Sequence, residues 1–457
     1  MNRTVRLLLV VVGWPILLSA CALPLVSPES EAQAKPPGAF GQDAPMVSNI
    51  SAPALALQPD GRVLAAGGYG PQGSGADAEV YDASSNSWAA LPNMPVARGG
   101  ATATTLPDGA ILVAGGASAT GDPLASAALF QPNAGWTPTG PMSVPRSGHI
   151  ALRLNDGRVL LLGGLSQQAL FGQITLPTRD VDLFDPSIRR FTPMASAPAV
   201  VQGAMFASLP DGRVLMAGGD DPDHGSTSRA WLFDPTANRW TAGRSMPVSR
   251  AYGFAITLAN GRVLVAGGEQ TAAQVSGSQP GMQALGPPLT SALLYDPIAN
   301  AWSTIADAPA AIQQVFGGAL LLRDGRALTF VADFAGGSTA DLSAVFYDPA
   351  TGRWSRGSPI SVTTNGAISP TLLGSGTVLL VLGSKSLVFD PHALGPPPPP
   401  VHPLASPQLT PWLALVAAVL LLILTGQYAQ AQLRSRRRPE VALHADIFPD
   451  ESQRSKA

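Results

Sequence analysis

The nonapeptide Asp-Gly-Arg-Val-Leu-Leu-Leu-Gly-Gly at 156–164 returns, barely altered, at 60–68, 108–116, 211–219 and 260–268. Repetition at a fixed spacing constrains a fold strongly, because a unit too small to bury its own apolar face must stack on copies of itself. The residue that opens each segment falls at 60, 108, 156, 211, 260, 324 and, in the degenerate form SGTVLLVLG, 375. The intervals are 48, 48, 55, 49, 64 and 51 residues, a period near fifty with two insertions. Seven units are predicted.

Each unit carries the same four signals. A short alternating stretch such as GATATTL (100–106) reads as a strand. The following Asp-Gly reads as a tight turn, because it accepts the left-handed backbone a hairpin needs, and it pairs that stretch with the RVLxxGG strand. An aromatic-Asp-Pro segment follows, at Tyr81, Phe130, Phe184, Phe233, Tyr295, Tyr347 and Phe389, with Gln131 in place of Asp in the second unit and Ala83 in place of Pro in the first. A second aromatic lies a few residues on, at Trp88, Trp136, Phe191, Trp240, Trp302 and Trp354. Strand, turn, strand, loop, strand, turn and aromatic-led strand describe a four-stranded antiparallel blade.

The Gly-Gly doublet, the aromatic-Asp-Pro strand and the Trp resemble the marks of the kelch repeat, recurring over residues 37–391. The resemblance extends to the central domain of galactose oxidase-like proteins, and it implies an all-β, seven-bladed β-propeller. The seventh unit ends at VFDP (388–391) without a fourth strand. Trp88 to Met94, Trp136 to Met142 and Trp240 to Met246 are each six residues apart, and Phe40 to Met46 repeats that spacing at the other end of the chain. Residues 37–46 are therefore predicted to close the ring as the outer strand of the last blade, removing the open edge that invites aggregation.

The flanks read differently. Arg3 and Arg6, the apolar run Leu7–Leu18 and the small residues after it have the three-part pattern of a secretory signal over 1–21. LSAC at 18–21 resembles a bacterial lipobox, which would lipidate Cys21, whereas the overlapping ACA at 20–22 suits ordinary signal peptidase. The position of the one cysteine favours lipidation. Residues 22–36 read as an unstructured tether and 392–408 as a proline-rich linker. Leu409–Tyr428 holds 20 uncharged residues edged by Trp412 and Tyr428, enough for a transmembrane helix of about 30 Å. Arg434, Arg436, Arg437 and Arg438 follow, which puts the tail at 429–457 in the cytoplasm and the propeller outside the cytoplasm, anchored to the membrane.

Function classes narrow by exclusion. Only 13% of residues are charged and the net charge is −2, so no basic field serves nucleic acid. A single cysteine excludes intramolecular disulfides and thiolate metal clusters. The copper-radical site of galactose oxidase-type enzymes needs a cysteine-linked tyrosine, and Tyr81, Tyr295 and Tyr347 are instead the blade aromatics. No GxSxG elbow, phosphate loop or HExxH pair is present. No cofactor is expected.

Ligand candidates belong on the face that carries the loops after Gly-Gly, since the Asp-Gly turns occupy the other. Arg98, Arg146 and Arg250 recur in MPVAR, MSVPR and MPVSR; they read either as a ring for carboxylates or anionic sugars, or as structural arginines bonded to carbonyls or acids of the adjoining blade, and recurrence at equivalent positions favours the second. His149 opens a first strand near the channel, where a packed histidine is the simpler reading. Asp220, Asp221 and Asp223, with His224, concentrate oxygen ligands that a hard cation such as Ca2+ could use, although a solvated acidic loop is the favoured reading and no full calcium-loop spacing exists. The expected function is a binding or scaffolding module for an extracytoplasmic protein or glycan; the alternative is a propeller enzyme of epimerase or lyase type acting on sugars.

Overall fold

The computed structural model describes residues 37–167, 175–199, 202–221, 224–271, 286–312, 318–336, 339–363 and 368–394. The chain divides into two compact units, Met1–Pro397 and Pro398–Ala457, and every described residue lies in the first. The signal segment, the tether, the 409–428 span and the tail lie outside the described residues. Among the described residues no helix is long and apolar enough to cross a membrane.

Seven sheets of four or five strands form the propeller, with three two-stranded ribbons beside them among the described residues. The third blade is representative: Ile150–Arg153, Val159–Leu162, Val181–Asp185 and Arg190–Met194 pair in chain order, each antiparallel to the next. The first strands pack side by side from blade to blade, and the seventh packs on the first, so the ring is closed. In the sixth blade the middle strands lengthen to Ala327–Gly336 and Thr339–Asp348, and Ile360–Thr363 adds a fifth strand on Thr339–Leu342.

Closure follows the spacing of the aromatics. Pro37–Pro45 is the fourth strand of the last blade, antiparallel to Lys385–Leu394, with Phe40 opposite Phe389. That third strand runs to Leu394, three residues past the boundary expected from VFDP, because Pro37 pairs with Leu394. All seven third-strand aromatics meet a fourth-strand aromatic across the ladder at centroid distances of 4.8–5.2 Å. Cross-strand aromatic pairs of this kind stabilise a sheet beyond their burial. The tryptophan Nε1 groups also tie blades together, Trp136 donating to Pro92 O and Trp354 to Ala306 O, each at 2.8 Å.

The repeated stretch is apolar throughout its strand for a clear reason. Leu160 and Leu162 pack with Phe206, Val214 and Met216 of the fourth blade, while Val159 and Leu161 pack with Leu112, Ala114 and Leu129 of the second. A strand buried on both faces has no polar side to alternate with. Its turn is a three-residue loop: Gly157 N donates to Leu154 O at 3.0 Å, and Leu154 N to Arg158 O at 2.8 Å. Gly157 alone is left-handed there (φ 87°), which makes a type I turn with a glycine bulge rather than two left-handed residues.

The glycine doublet has a steric cause. A Cβ on Gly67, Gly115, Gly218 or Gly267 would stand under 3.0 Å from the carbonyl oxygen of Arg98, Arg146, Arg250 or Ile312 respectively. The second glycine then donates its N–H to that same carbonyl, at 2.9 Å for Gly68, 2.9 Å for Gly116, 3.0 Å for Gly219 and 2.7 Å for Gly268. Gly212, in the turn, is left-handed too (φ 87°) but faces open space. We expect Gly212→Ala to cost about 1 kcal/mol, the price of the backbone conformation alone. Gly218→Ala is expected to cost about 3 kcal/mol or more, because the Arg250 carbonyl must also move; equal losses in denaturant titrations of the two variants would refute this account.

Candidate functional site

In each blade the connection between the second and third strands, and the crossing to the next blade, emerge on one face. The Asp-Gly turns and the turns after the aromatic-Asp-Pro segments occupy the other. The loop face carries the ribbons Tyr69–Gly70/Gly73–Ser74, Leu165–Gln167/Thr175–Pro177 and Asp220–Asp221/Gly225–Ser226. The turn face is closed by local pairs such as Arg158–Asp156 and Arg213–Asp211 at 2.7 and 2.6 Å.

The three recurrent arginines sit inside the wall between blades, at most 1% exposed. Each carbonyl holds the preceding blade's glycine doublet while the guanidinium reaches into the next blade. Arg98 Nη1 donates to Gly115 O and Ser126 O at 2.7 and 2.9 Å, and Arg250 Nη1 to Gly267 O and Ser291 O at 2.9 and 2.8 Å. Arg146 bonds Gly163 O and Asp180 O, and its Nη2 pairs with Asp182 at 2.7 Å. Burial pulls Arg98 and Arg250 down to about 10, still charged at neutral pH; Arg146 is lowered by burial, against the opposing charges of Asp182 and Asp180. The structure thus gives each of these residues a separate interblade position and does not gather them around one ligand space.

His149 lies beside two of them. Its Nε2 is 2.9 Å from Thr102 Oγ1 on the second blade, and the ring packs against Gly115. Burial, then the charges of Arg146 and Arg98, push its pKa down to about 3, so the imidazole is neutral at physiological pH. Asp220 and Asp221 have different surroundings although they are adjacent. Asp220 is buried and accepts from Thr271 Oγ1 of the fifth blade at 2.6 Å, while Asp221 is 3.1 Å from His224 Nδ1. Asp223 lies outside the described residues. Among the described residues no three His, Cys, Asp or Glu side chains are arranged to hold a metal ion.

Two further residues join Asp220. Glu269 occupies the position after Gly-Gly in the fifth blade that Asp220 occupies in the fourth, and it too is buried. Burial, and then the charge of Asp220, raise its pKa. Asp220 is raised by burial and by Asp221, against the lowering effect of the Thr271 bond. Tyr252 is driven up to about 12 by burial and the two acids, against a hydrogen bond with Gln202. Tyr252 is left-handed (φ 60°) where the preceding blades have Gly100, Gly148 and Gly203 at 61–62°, a conformation costing roughly 1–2 kcal/mol for a side-chain-bearing residue. Its ring lies over Gly203, where a Cβ would stand 2.9 Å from it. The sequence does carry signals for this group: an acid directly after Gly-Gly in two successive units, and a tyrosine in a glycine position.

Chemically, this corner of the loop face holds two carboxyls drawn toward their protonated forms beside a phenol. Such groups donate and accept hydrogen bonds to hydroxylated ligands and can exchange protons. The sign of the pH effect follows: a carboxyl with a raised folded pKa binds its proton more tightly when folded. Its contribution is greatest below the ordinary carboxylate range and is lost as pH rises through the folded pKa. Glu269→Gln is therefore expected to raise the melting temperature at about pH 8 and to lose that advantage near about pH 4; a gain that is the same at both would exclude this cause. For the wall arginines, Arg146→Ala should destabilise by about 3–5 kcal/mol because it strands the buried Asp182. Arg98→Ala, which leaves no buried acid behind, should cost less in the same unfolding experiment.

Comparison with known proteins agrees with the architecture. Residues 52–95, spanning the first blade, match the Kelch motif family model. No curated protein matches the sequence significantly. The solved structure titled "Structure of YjhT" aligns over 68% of this chain and 98% of its own, with a TM-score of 0.50 and 18% identity, a likeness of fold.

Proposed function

We propose that this kelch-repeat β-propeller is a non-catalytic binding module, held at the membrane outside the cytoplasm, that takes a protein or glycan ligand on its loop face. The observation that carries the reading is the contrast between the two faces. The turn face is closed by short hairpins and self-contained Asp–Arg pairs. The loop face bears the ribbons, the exposed Tyr69, the buried Asp220 and Glu269 and the half-buried Tyr252. Pro37 pairs with Leu394 where the third strand of the seventh blade ends, so the first and last described residues of the propeller lie together on the turn side. The signal-like N-terminus, Cys21 and the 409–428 run support export and anchoring.

The second reading, a sugar epimerase or lyase, is favoured by one feature: carboxyls with raised pKa beside a phenol are suited to acid and base roles. Capture of glycans and extracytoplasmic proteins by the full chain in detergent distinguishes the readings. With the double variant Asp220→Asn/Glu269→Gln, or with Tyr69→Ala, we expect affinity to fall about tenfold, on the order of one buried hydrogen bond. The turn-face double variant Asp156→Ala/Arg158→Ala should leave it unchanged. The opposite pattern refutes the loop-face reading, and turnover of a captured sugar that Glu269→Gln abolishes would replace it with the enzymatic one. Protease applied outside intact cells should remove the propeller while sparing a C-terminal epitope; a protected propeller refutes export.

A further inference from the structure

We propose that the turn face rests on the bilayer through the tips of the third, fourth and fifth blades. Ile188 and Ile298 enter the headgroup layer, and the arginines beside them lie on the phosphates of anionic lipids. The inference rests on the membrane-anchored reading and adds the surface that the propeller turns toward the membrane, which that reading leaves open.

The tips are the turns between third and fourth strands, at 186–189, 235–238 and 297–300. Ile298 is 98% exposed and Ile188 60%, so the core uses little of either. Other blades carry Ser84, Asn133, Thr236 or Ala350 where Ile298 stands, and Ser85 or Ala237 where Ile188 stands. The turns are held by their aspartates and need no apolar side chain. Asp185 accepts from Ser187 N at 2.8 Å, and Asp296 from Ile298 N and Ala299 N at 3.0 and 3.1 Å. Single exposed apolar residues are ordinary on a protein surface. These two stand out for the arginines placed with them on three consecutive blades.

Arg189 is left-handed (φ 54°) at a position where other blades carry Asn86, Asn238, Asn300, Gly135 and Gly352, the residue types that tolerate this conformation. Each asparagine makes a bond there. Asn86 and Asn300 accept from the hydroxyls of Tyr81 and Tyr295 at 2.7 and 2.9 Å, and Asn238 accepts from Ala195 N at 2.7 Å. Arg189 takes the same strained backbone without any hydrogen bond or ion pair among the described residues, and so do its exposed neighbours Arg190 and Arg239 lack one. The hairpin arginines of the same blades, Arg158 and Arg213, are by contrast paired with Asp156 and Asp211. Unpartnered cations beside outward isoleucines match what an interface asks for: apolar groups for the headgroup layer and cations for anionic lipid.

The position of the chain ends favours a bilayer as the occupant. Pro37 and Leu394 lie together on the turn side. Only residues 395–408 separate Leu394 from the uncharged run at 409–428, a reach of at most about 50 Å. A tether of that length keeps a membrane surface at high effective concentration, so a weak contact suffices to seat the face. A folded partner needs roughly 800 Å2 on each side around a continuous apolar centre. Separate tips flanked by arginines provide no such centre, whereas a fluid headgroup layer adapts to tips on different blades.

The full chain is reconstituted in lipid nanodiscs containing a photoactivatable phospholipid, either zwitterionic or enriched in phosphatidylglycerol, and lipid adducts are located by peptide mass spectrometry. We expect adducts on 186–190 and 297–300 to exceed those on the first-blade tip at 83–86 and on the ribbon Tyr69–Gly70/Gly73–Ser74 about tenfold. Arg189→Gln/Arg190→Gln should lower the signal about tenfold in anionic discs and leave it unchanged in zwitterionic ones. Raising the ionic strength from about 0.1 M to about 1 M should act like that variant. Ile188→Asp/Ile298→Asp should abolish the adducts in both discs while the melting temperature in detergent stays that of the parent. Equal labelling of all tips, or labelling indifferent to the aspartate variant, overturns the docking. Crosslinks between the tips of two chains without lipid adducts make a second copy the occupant and overturn it as well. A chain that enters the discs but is labelled on the ribbon in place of the tips overturns the docking alone; one that fails to enter defeats the anchored reading along with it.

Discussion

A carbonyl oxygen lodged where a side chain would have to begin governs this propeller. At the crossings out of the first, second, fourth and fifth blades the residue that starts the crossing presses its carbonyl into the space left by a glycine at the end of the preceding second strand, as Arg98 does at Gly67 and Arg250 at Gly218. The next glycine returns a hydrogen bond to the same oxygen. Each of these crossings is thereby fixed against the blade it leaves, whereas Val331-Ala332 and Leu382-Gly383 stand in place of the doublet in the sixth and seventh blades. Where arginine fills the position, its side chain extends the same joint forward into the following blade. Ile312 supplies only the carbonyl, which shows that the backbone contact is the essential part and the guanidinium an addition.

Charge is handled in opposite ways in the wall and on the loop face. Asp182 and Glu79 sit at the same place in the third strands of their blades, and both are fully bonded: Asp182 to Arg146 and Ser143, Glu79 to the closing segment. These acids join blades. Asp220 and Glu269, at the ends of second strands, face each other's charge with only Thr271 as a bonded partner among the described residues. Burial without a counter-charge draws a carboxyl toward its neutral form, so residue types that join blades in the wall are held near neutrality on the loop face.

Closure concentrates the irregularities of the ring in one place. The last blade borrows its outer strand from the N-terminal end of the propeller, and Phe40 reproduces on Phe389 the aromatic contact of the other six. The same junction carries Ile50 where other junctions carry arginine, and a cleft lined by Asn49, Tyr69 and Ser384 lies beside it.

Covalent spacing is preserved in the sequence, and whatever depends on spacing was legible there. The seven units, the Asp156-Gly157 turn and the closing strand from Phe40 to Met46 follow from residues at fixed separations, because a β-blade repeats its hydrogen-bond register along the chain. The direction of Arg98, Arg146 and Arg250 did not follow. A periodic pattern says that a side chain recurs at blade junctions, but the distance to the next blade decides whether its guanidinium meets solvent or the carbonyls of Gly115, Gly163 and Gly267. Asp220, Tyr252 and Glu269 come together only through the packing of the fourth blade on the fifth. Local sequence determined the blade; contacts between blades, made by residues far apart in the chain, decided which side chains are gathered on the loop face.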